Sequence, residues 1–189
     1  FFSSVINNGG VFVLGLFHST AVVGYFSAVG KLIRAALNLF YPISQALFPN
    51  ISQQLHANKK QGIAFIKSIG TKVIGLIGVG VILGFFIAPG LLEFIYGISY
   101  RQYAYVLNLL SVWFLLGVLN NFIGVQFMIG AGFGKAYRKS FVVTGVAMLL
   151  MYISIKFFAI NGIVFSMLAG ELLLTLLMVY FIKKENLLS

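Results

Sequence analysis

The sequence predicts an all-α, polytopic membrane protein with six transmembrane helices. Three observations carry that reading. Of the 189 residues, 60% are hydrophobic and only 8% charged, with a mean hydropathy of +1.03, whereas a water-soluble domain needs about a quarter of its residues charged to dress its surface. The apolar runs are long enough to cross a hydrocarbon layer of about 30 Å as helices. They far exceed the length of a membrane barrel strand and show no strict alternation. Finally, basic residues gather in alternate connectors, as topology signals do.

The first span is placed at about Ser3 to Phe17 and contains Asn7, Asn8, Gly9 and Gly10 in succession. That set is costly in lipid unless the backbone faces a cavity or another helix. The second, about Ala21 to Pro49, ends in YPISQALFPNIS. Pro42 and Pro49 each remove a backbone donor there, which predicts a kinked inner third that suits a hinge. The third runs from about Phe65 to Phe94 and carries Gly80 and Gly84 as a small-xxx-small pair for close packing. The fourth, about Gln102 to Ile129, holds Asn120, Asn121 and Gln126, which either line a path for a polar substrate or bridge helices. The fifth extends from about Ser140 to Ala159 and the sixth from about Ile163 to Lys183. The connectors are HST, SQQLHANKKQG, YGISYR, GAGFGKAYRK and NG.

Lys59, Lys60, Lys67 and Lys72 follow the second span, Lys135, Arg138 and Lys139 the fourth, and Lys183 and Lys184 the sixth. These are nine of the thirteen basic residues, all on one side in a six-pass arrangement. The positive-inside rule makes that side cytoplasmic, with both ends of the chain on it. The other side has Arg101, and Lys156 near enough to the boundary to snorkel. Tyr96, Tyr100, Tyr103 and Tyr105 cluster at that boundary, where amphipathic rings settle. The net charge of +10 therefore reads as topology rather than as a nucleic-acid footprint.

Lys31 and Arg34 belong to no connector. Counted from Ala21 at 1.5 Å per residue, they lie about 15 and about 20 Å deep on one helical face. An unpaired cation facing lipid there costs several kcal/mol, so three readings stand: snorkelling, a structural ion pair, or a cationic cavity. Asn38 and Gln45 prolong the polar track, which also suits a hydrogen-bonded packing seam. The one acid deep within an apolar span is Glu171, about 12 Å in from Ile163. It is either the partner of Lys31 or Arg34, or a carboxyl that takes up a proton during a transport cycle.

No catalytic constellation is present, so the chain does not read as an enzyme. His18 and His56 fall on opposite sides of the membrane, which excludes a shared metal site or a histidine triad. GAGFGKAY fails as a phosphate loop: Ile129 stands where the first glycine is needed, and Ala136 replaces the magnesium-binding hydroxyl. No cofactor is implied. With no ATP-hydrolysing domain, transport would be driven by a gradient or by consumption of the substrate. The absence of cysteine excludes a disulfide scaffold.

VGYFSAVGKL, PISQALFPNIS, LLEFIYGISYRQYAYVLNLLS and GVQFMIGAGFGKAYRKS, in that order, resemble the C-terminal half of Wzx-type polysaccharide flippases of the multidrug/oligosaccharidyl-lipid/polysaccharide (MOP) exporter superfamily. The resemblance spans nearly the whole chain. It implies one six-helix lobe of a two-lobe transporter in a bacterial inner membrane, moving polyprenyl-pyrophosphate-linked oligosaccharide to the outer leaflet for surface polysaccharide synthesis. It implies that Lys31 and Arg34, with Asn38, Asn120 and Asn121, line a substrate cavity, and it adds weight to Glu171 as a coupling residue. Residues 1–189 are then a single membrane domain, expected to be a fragment of a chain of about twelve to fourteen helices or one copy of a pair, because alternating access needs two bodies. The odd start at Phe1 favours the fragment. The competing readings are a multidrug or peptidoglycan-precursor exporter with the same fold, and a non-transporting membrane scaffold.

Overall fold

The computed structural model describes residues 2–185, with side chains from residue 9 onward; the side chains of Asn7 and Asn8 lie outside the described residues. The described chain is helical, with no strand among the described residues. Helix α1 spans Phe2–Phe17, α2 Thr20–Ala57 and α3 Lys59–Tyr96. A 3-10 turn, Ile98–Tyr103, leads into α4, Ala104–Asn120, which continues without a break as a π-helix over Asn121–Ile129. Helix α5, Gly134–Met151, passes through a short 3-10 turn, Tyr152–Ser154, into α6, Ile155–Lys184. Among the described residues four helical stretches are long and apolar enough to cross a membrane: Thr20–Ala57, Lys59–Tyr96, Ile98–Ile129 and Gly134–Lys184.

Several boundaries differ from the sequence reading, for local reasons. The second span does not stop at Pro49 but runs through both prolines to Ala57, and the third begins at Lys59 rather than Phe65. Most of SQQLHANKKQG is Gln, Leu, Ala and Lys, all good helix formers. Only Asn58 is extended (φ −152°), and its side-chain oxygen accepts from the Gln61 amide at 3.2 Å to cap α3. At 38 residues each, α2 and α3 are about 57 Å long, so both project beyond the hydrocarbon. For the same reason α5 starts at Gly134, taking in the basic KAYRK segment.

The 51-residue stretch Gly134–Lys184 is a hairpin. Ser166 Oγ donates to the Met151 carbonyl at 3.1 Å, whereas residues fifteen apart on a straight helix are separated by about 22 Å. The reversal is made at Ala159, whose φ of 47° and ψ of −125° are non-helical, a little before the expected Asn161–Gly162. Gly162 instead abuts the chain that precedes the kink: a Cβ there would sit 2.8 Å from the Ile155 Cα. The α2–α3 reversal uses the same device, with a Cβ on Gly62 falling 2.8 Å from the Leu55 Cα. Gly10 lets α1 close on α6, because its Cβ would meet Ile163 Cγ1 at 2.7 Å.

The connectors sort to two ends. At one, the Tyr25 ring stacks on Tyr103 with centroids 4.4 Å apart and meets Tyr100 edge-on at 4.9 Å. There too, His18 Nε2 lies 2.8 Å from the Ile155 carbonyl oxygen and Tyr105 donates to Asn161 Oδ1 at 3.0 Å. These contacts join the α1–α2, α3–α4 and α5–α6 turns. At the opposite end Ser52 donates to the Gly130 carbonyl at 3.3 Å, the Lys59 ammonium sits 5.5 Å from the Phe133 ring centroid, and Lys139 lies 5.9 Å from that of Phe181. That end carries the alternate connectors and their lysines, so helices run antiparallel to their neighbours in sequence. Leu92, Val106, Ile155, Ile163 and Met178 form the heart of the core. By contrast Leu76, Phe86 and Phe94 on α3 are 76%, 81% and 89% exposed, an apolar face that suits lipid rather than water.

Candidate functional site

Arg34, Asn38 and Tyr41 recur at helical spacing on α2 and share one face. With Trp113 of α4 and Met167 of α6 they line a hollow of about 270 Å³. A second hollow of about 260 Å³ is lined by Asn120, Asn121, Tyr137, Thr144 and Glu171. Leu37, Tyr41, Trp113 and Met167 belong to both walls, so the two abut and make one cleft between α2, α4, α5 and α6. Lys31 is exposed and lines neither hollow.

Arg34 is exposed, and its guanidinium Nη2 donates to the Ser27 carbonyl at 3.3 Å. The side chain folds back over Gly30, where a Cβ would stand 3.8 Å from Nη2. Seven residues along α2 correspond to about 10 Å, so the charge sits nearer the tyrosine-rich end than a count to the Arg34 Cα indicates. It remains on the wall of the first hollow.

Neither ion pair expected for Glu171 forms. The ion pair among the described residues is Arg101 with Glu93, at 3.0 Å near the end of α3. Glu171, partly buried on α6, faces α4 instead of α2. Asn120 Nδ2 donates to its carboxylate Oε2 at 2.6 Å and to its main-chain carbonyl at 2.9 Å. Thr175, one turn along α6, donates to Asn120 Oδ1 at 2.7 Å, and its hydroxyl oxygen lies 2.9 Å from the same Glu171 carbonyl. Each Asn120 heteroatom is thereby engaged, and the amide is oriented with its nitrogen towards the acid.

Asn121 faces the other way, accepting from Ser44 Oγ of α2 at 2.8 Å. Gln126, fully buried, donates from Nε2 to the Ser44 carbonyl at 2.9 Å and lies 3.0 Å from Ser44 Oγ. Within and just after the π-helix the backbone bonds widen to five-residue steps, Gly130 N–H to the Val125 carbonyl at 3.3 Å and Phe133 N–H to that of Met128 at 2.7 Å. Such segments concentrate at functional sites. Here the π-helix sits between Ser44, two residues past Pro42, and the lysine-rich end. Asn120 and Asn121 bridge helices and also stand on the cleft wall, whereas Gln126 bridges helices without lining either hollow.

Sequence reasoning missed four participants. Thr175 stands one helical turn from Glu171 and was legible by spacing; Trp113 is the single tryptophan of the chain. Tyr137 and Thr144 carried no signal among their basic and apolar neighbours. Thr144 is 4% exposed, lines the second hollow, and its hydroxyl has no hydrogen-bond partner in the structure. Among the described residues no group of three or more His, Cys, Asp or Glu could hold a metal ion.

No family model matches the chain, and no solved structure matches it. A curated relative from Escherichia coli (strain K12), described as "Putative O-antigen transporter", is 31% identical over a 195-residue alignment that covers 98% of this chain and 45% of that protein. The chain thus spans about half the length of the relative it matches. Long apolar helices and this similarity together make it part of a multi-pass membrane protein. By sequence the chain belongs with the Wzx-type flippases, as a region corresponding to about half of such a transporter.

Proposed function

We propose that the chain is one six-span lobe of a flippase that moves polyprenyl-pyrophosphate-linked oligosaccharide from the cytoplasmic to the outer leaflet for surface polysaccharide synthesis. The observation that carries this reading is the cleft itself, with Arg34 and Asn38 on one part of its wall and Glu171 with Asn120 and Asn121 on another. A saccharide headgroup has to leave water while its lipid tail stays in hydrocarbon. Amides that can exchange partners replace its hydration, and a fixed cation offsets the cost of taking the pyrophosphate out of water.

Six spans follow if the Gly134–Lys184 hairpin counts as two and α1 crosses beside them. The lysine-rich end is then cytoplasmic, both ends of the chain lie on it, and the membrane is the bacterial inner membrane. A second lobe, in the same polypeptide or from a second copy, covers the α2 face that exposes Lys31 and Arg34. Rocking between lobes gives alternating access, with α2 flexing about Pro42 and Pro49. Glu171 couples the cycle to a proton gradient by exchanging its bond to Asn120 for a proton.

Export of an aromatic cation is a second reading, favoured by Tyr41, Trp113 and Phe114, which line the same hollow as Glu171. The test is complementation of a strain lacking its own flippase by the full transporter. Lys31→Gln/Arg34→Gln should abolish surface polysaccharide while the protein remains inserted at normal levels. Unimpaired polysaccharide would overturn the reading, and dye efflux that survives the double substitution but not Glu171→Gln would favour the second. In reconstituted vesicles, Glu171→Gln should abolish proton-linked uptake; an unaltered pH dependence would remove Glu171 from coupling.

A further inference from the structure

On the side of the bundle away from the cleft, α3, the α4 π-helix and the last turns of α6 enclose an apolar groove of about 390 Å³. Ile66, Gly70, Ile74, Phe122 and Ile182 make its floor and walls. Gly70 keeps it open, since a Cβ there would press on the Phe122 ring at 3.3 Å. Two lysines flank it from different helices: Lys67 of α3 and Lys183 of α6, both exposed. Neither is needed to close the bundle, and among the described residues neither has an acidic partner.

We propose that this groove binds one anionic membrane phospholipid, its acyl chain in the apolar trough and its phosphate between Lys67 and Lys183. The dimensions suit that occupant. From Lys67 the α3 wall runs inward to Ile74, about 10 Å at 1.5 Å per residue, or two-thirds of a leaflet that is half of a hydrocarbon core of about 30 Å. The trough therefore holds the headgroup-proximal part of one acyl chain, whose tail continues into the surrounding lipid. The charges lie at the lysine-rich end, where a headgroup of the adjacent leaflet is found, and basic pockets between membrane helices take acidic lipid heads in this way. Lysine is a point charge with three donors and no bidentate fork, which fits a phosphodiester without selecting a particular sugar or alcohol attached to it. The groove rests only on membrane insertion and is independent of what the cleft transports.

The test is thermal unfolding of the full chain in neutral detergent micelles doped with phosphatidylglycerol, with phosphatidylcholine, or with a polyprenyl phosphate. Phosphatidylglycerol should raise Tm by about 3 °C or more over phosphatidylcholine. Lys67→Gln/Lys183→Gln should erase the difference, while Lys67→Arg/Lys183→Arg keeps it. A charge-matched control outside the groove, Lys60→Gln/Lys184→Gln, should also keep it. Unchanged Tm of the variants in phosphatidylcholine shows that they fold. Equal effects of the two phospholipids on the unsubstituted chain would overturn the proposal, as would a preference that survives in the Lys67/Lys183 glutamine variant. A shift produced by polyprenyl phosphate alone would overturn it too, by assigning the groove to a transported lipid.

Discussion

Asn120 and Glu171 form the tightest polar contact between α4 and α6, with the amide nitrogen 2.6 Å from the carboxylate and 2.9 Å from the main-chain carbonyl of the same residue. Thr175 closes the set by donating to Asn120 Oδ1. A carboxylate among apolar helices keeps its place only if a donor meets it, and here one amide supplies that donor. Asn120→Ala should therefore destabilise the lobe by about 2 kcal/mol, the range for a hydrogen bond to a charged group. Asn120→Asp should cost at least as much, by setting a second acid against the first. Thermal unfolding in detergent measures both. A double variant, Asn120→Ala/Glu171→Gln, should recover part of the loss; additive losses would show that the two residues are not energetically linked.

Two glycines at the reversals have no room for a methyl group. Gly62→Ala and Gly162→Ala each put a Cβ 2.8 Å from backbone atoms on the other side of the turn, and backbone cannot step aside as a flexible side chain can. Overpacking of this kind costs about 1–3 kcal/mol, so each substitution should lower Tm and the yield of inserted protein. Gly75→Ala and Gly78→Ala on α3 are the contrast. Nothing lies within 4 Å of the point where either methyl group would stand, and helix propensity favours alanine over glycine by about 1 kcal/mol. Stability curves for the four variants should split into two losses and two gains.

The long helices were legible because their apolar runs reach the length that a bilayer demands, whereas α1, at 16 residues, falls short of it; Lys59, Lys135 and Lys183 lie at the end opposite the tyrosine-rich turns, as their alternation along the sequence suggests. The turns themselves were less legible. Asn161–Gly162 has the composition of a turn, yet the chain reverses at Ala159, because Gly162 is needed for close approach to Ile155. In the site, the types of polar residue were readable but not their partners. Asn120 and Asn121 are neighbours in sequence, and one faces α6 while the other faces α2. No periodicity argument orients residues across the onset of a π-helix. Arg34 likewise bends back to Ser27, a choice of side-chain torsions that spacing does not encode.

Ala159 holds a positive φ of 47°, and among the described residues it is the one non-glycine residue to do so. Such a conformation costs a residue with a Cβ about 1–3 kcal/mol. Ala159→Gly removes that cost, although glycine returns part of the gain as greater freedom of the unfolded chain. The net expectation is a stabilisation of about 1 kcal/mol, read as a rise in Tm of about 2–4 °C for a chain of this size. Ala159→Val should move Tm the other way. A glycine variant less stable than the parent would mean that the α5–α6 hairpin turns at another residue.

Lys31 and Arg34 differ in what surrounds them, although their spacing puts them on one helical face. Arg34 lines the first hollow and is tethered to Ser27, while Lys31 lines neither hollow. If the cleft is where an anionic headgroup is met, Arg34→Gln alone should lower transport by tenfold or more, the effect of losing about 1.4 kcal/mol of a charge-assisted contact. Arg34→Lys should recover little, because an ammonium lacks the planar fork. Lys31→Gln should cost less than about threefold if Lys31 acts only through the long-range field. The readout is the initial rate of polysaccharide appearance in complemented cells, normalised to inserted protein. Equal losses from the two single substitutions would place the anion on the open face of α2, between the lobes, instead of in the hollow beside Tyr41 and Trp113.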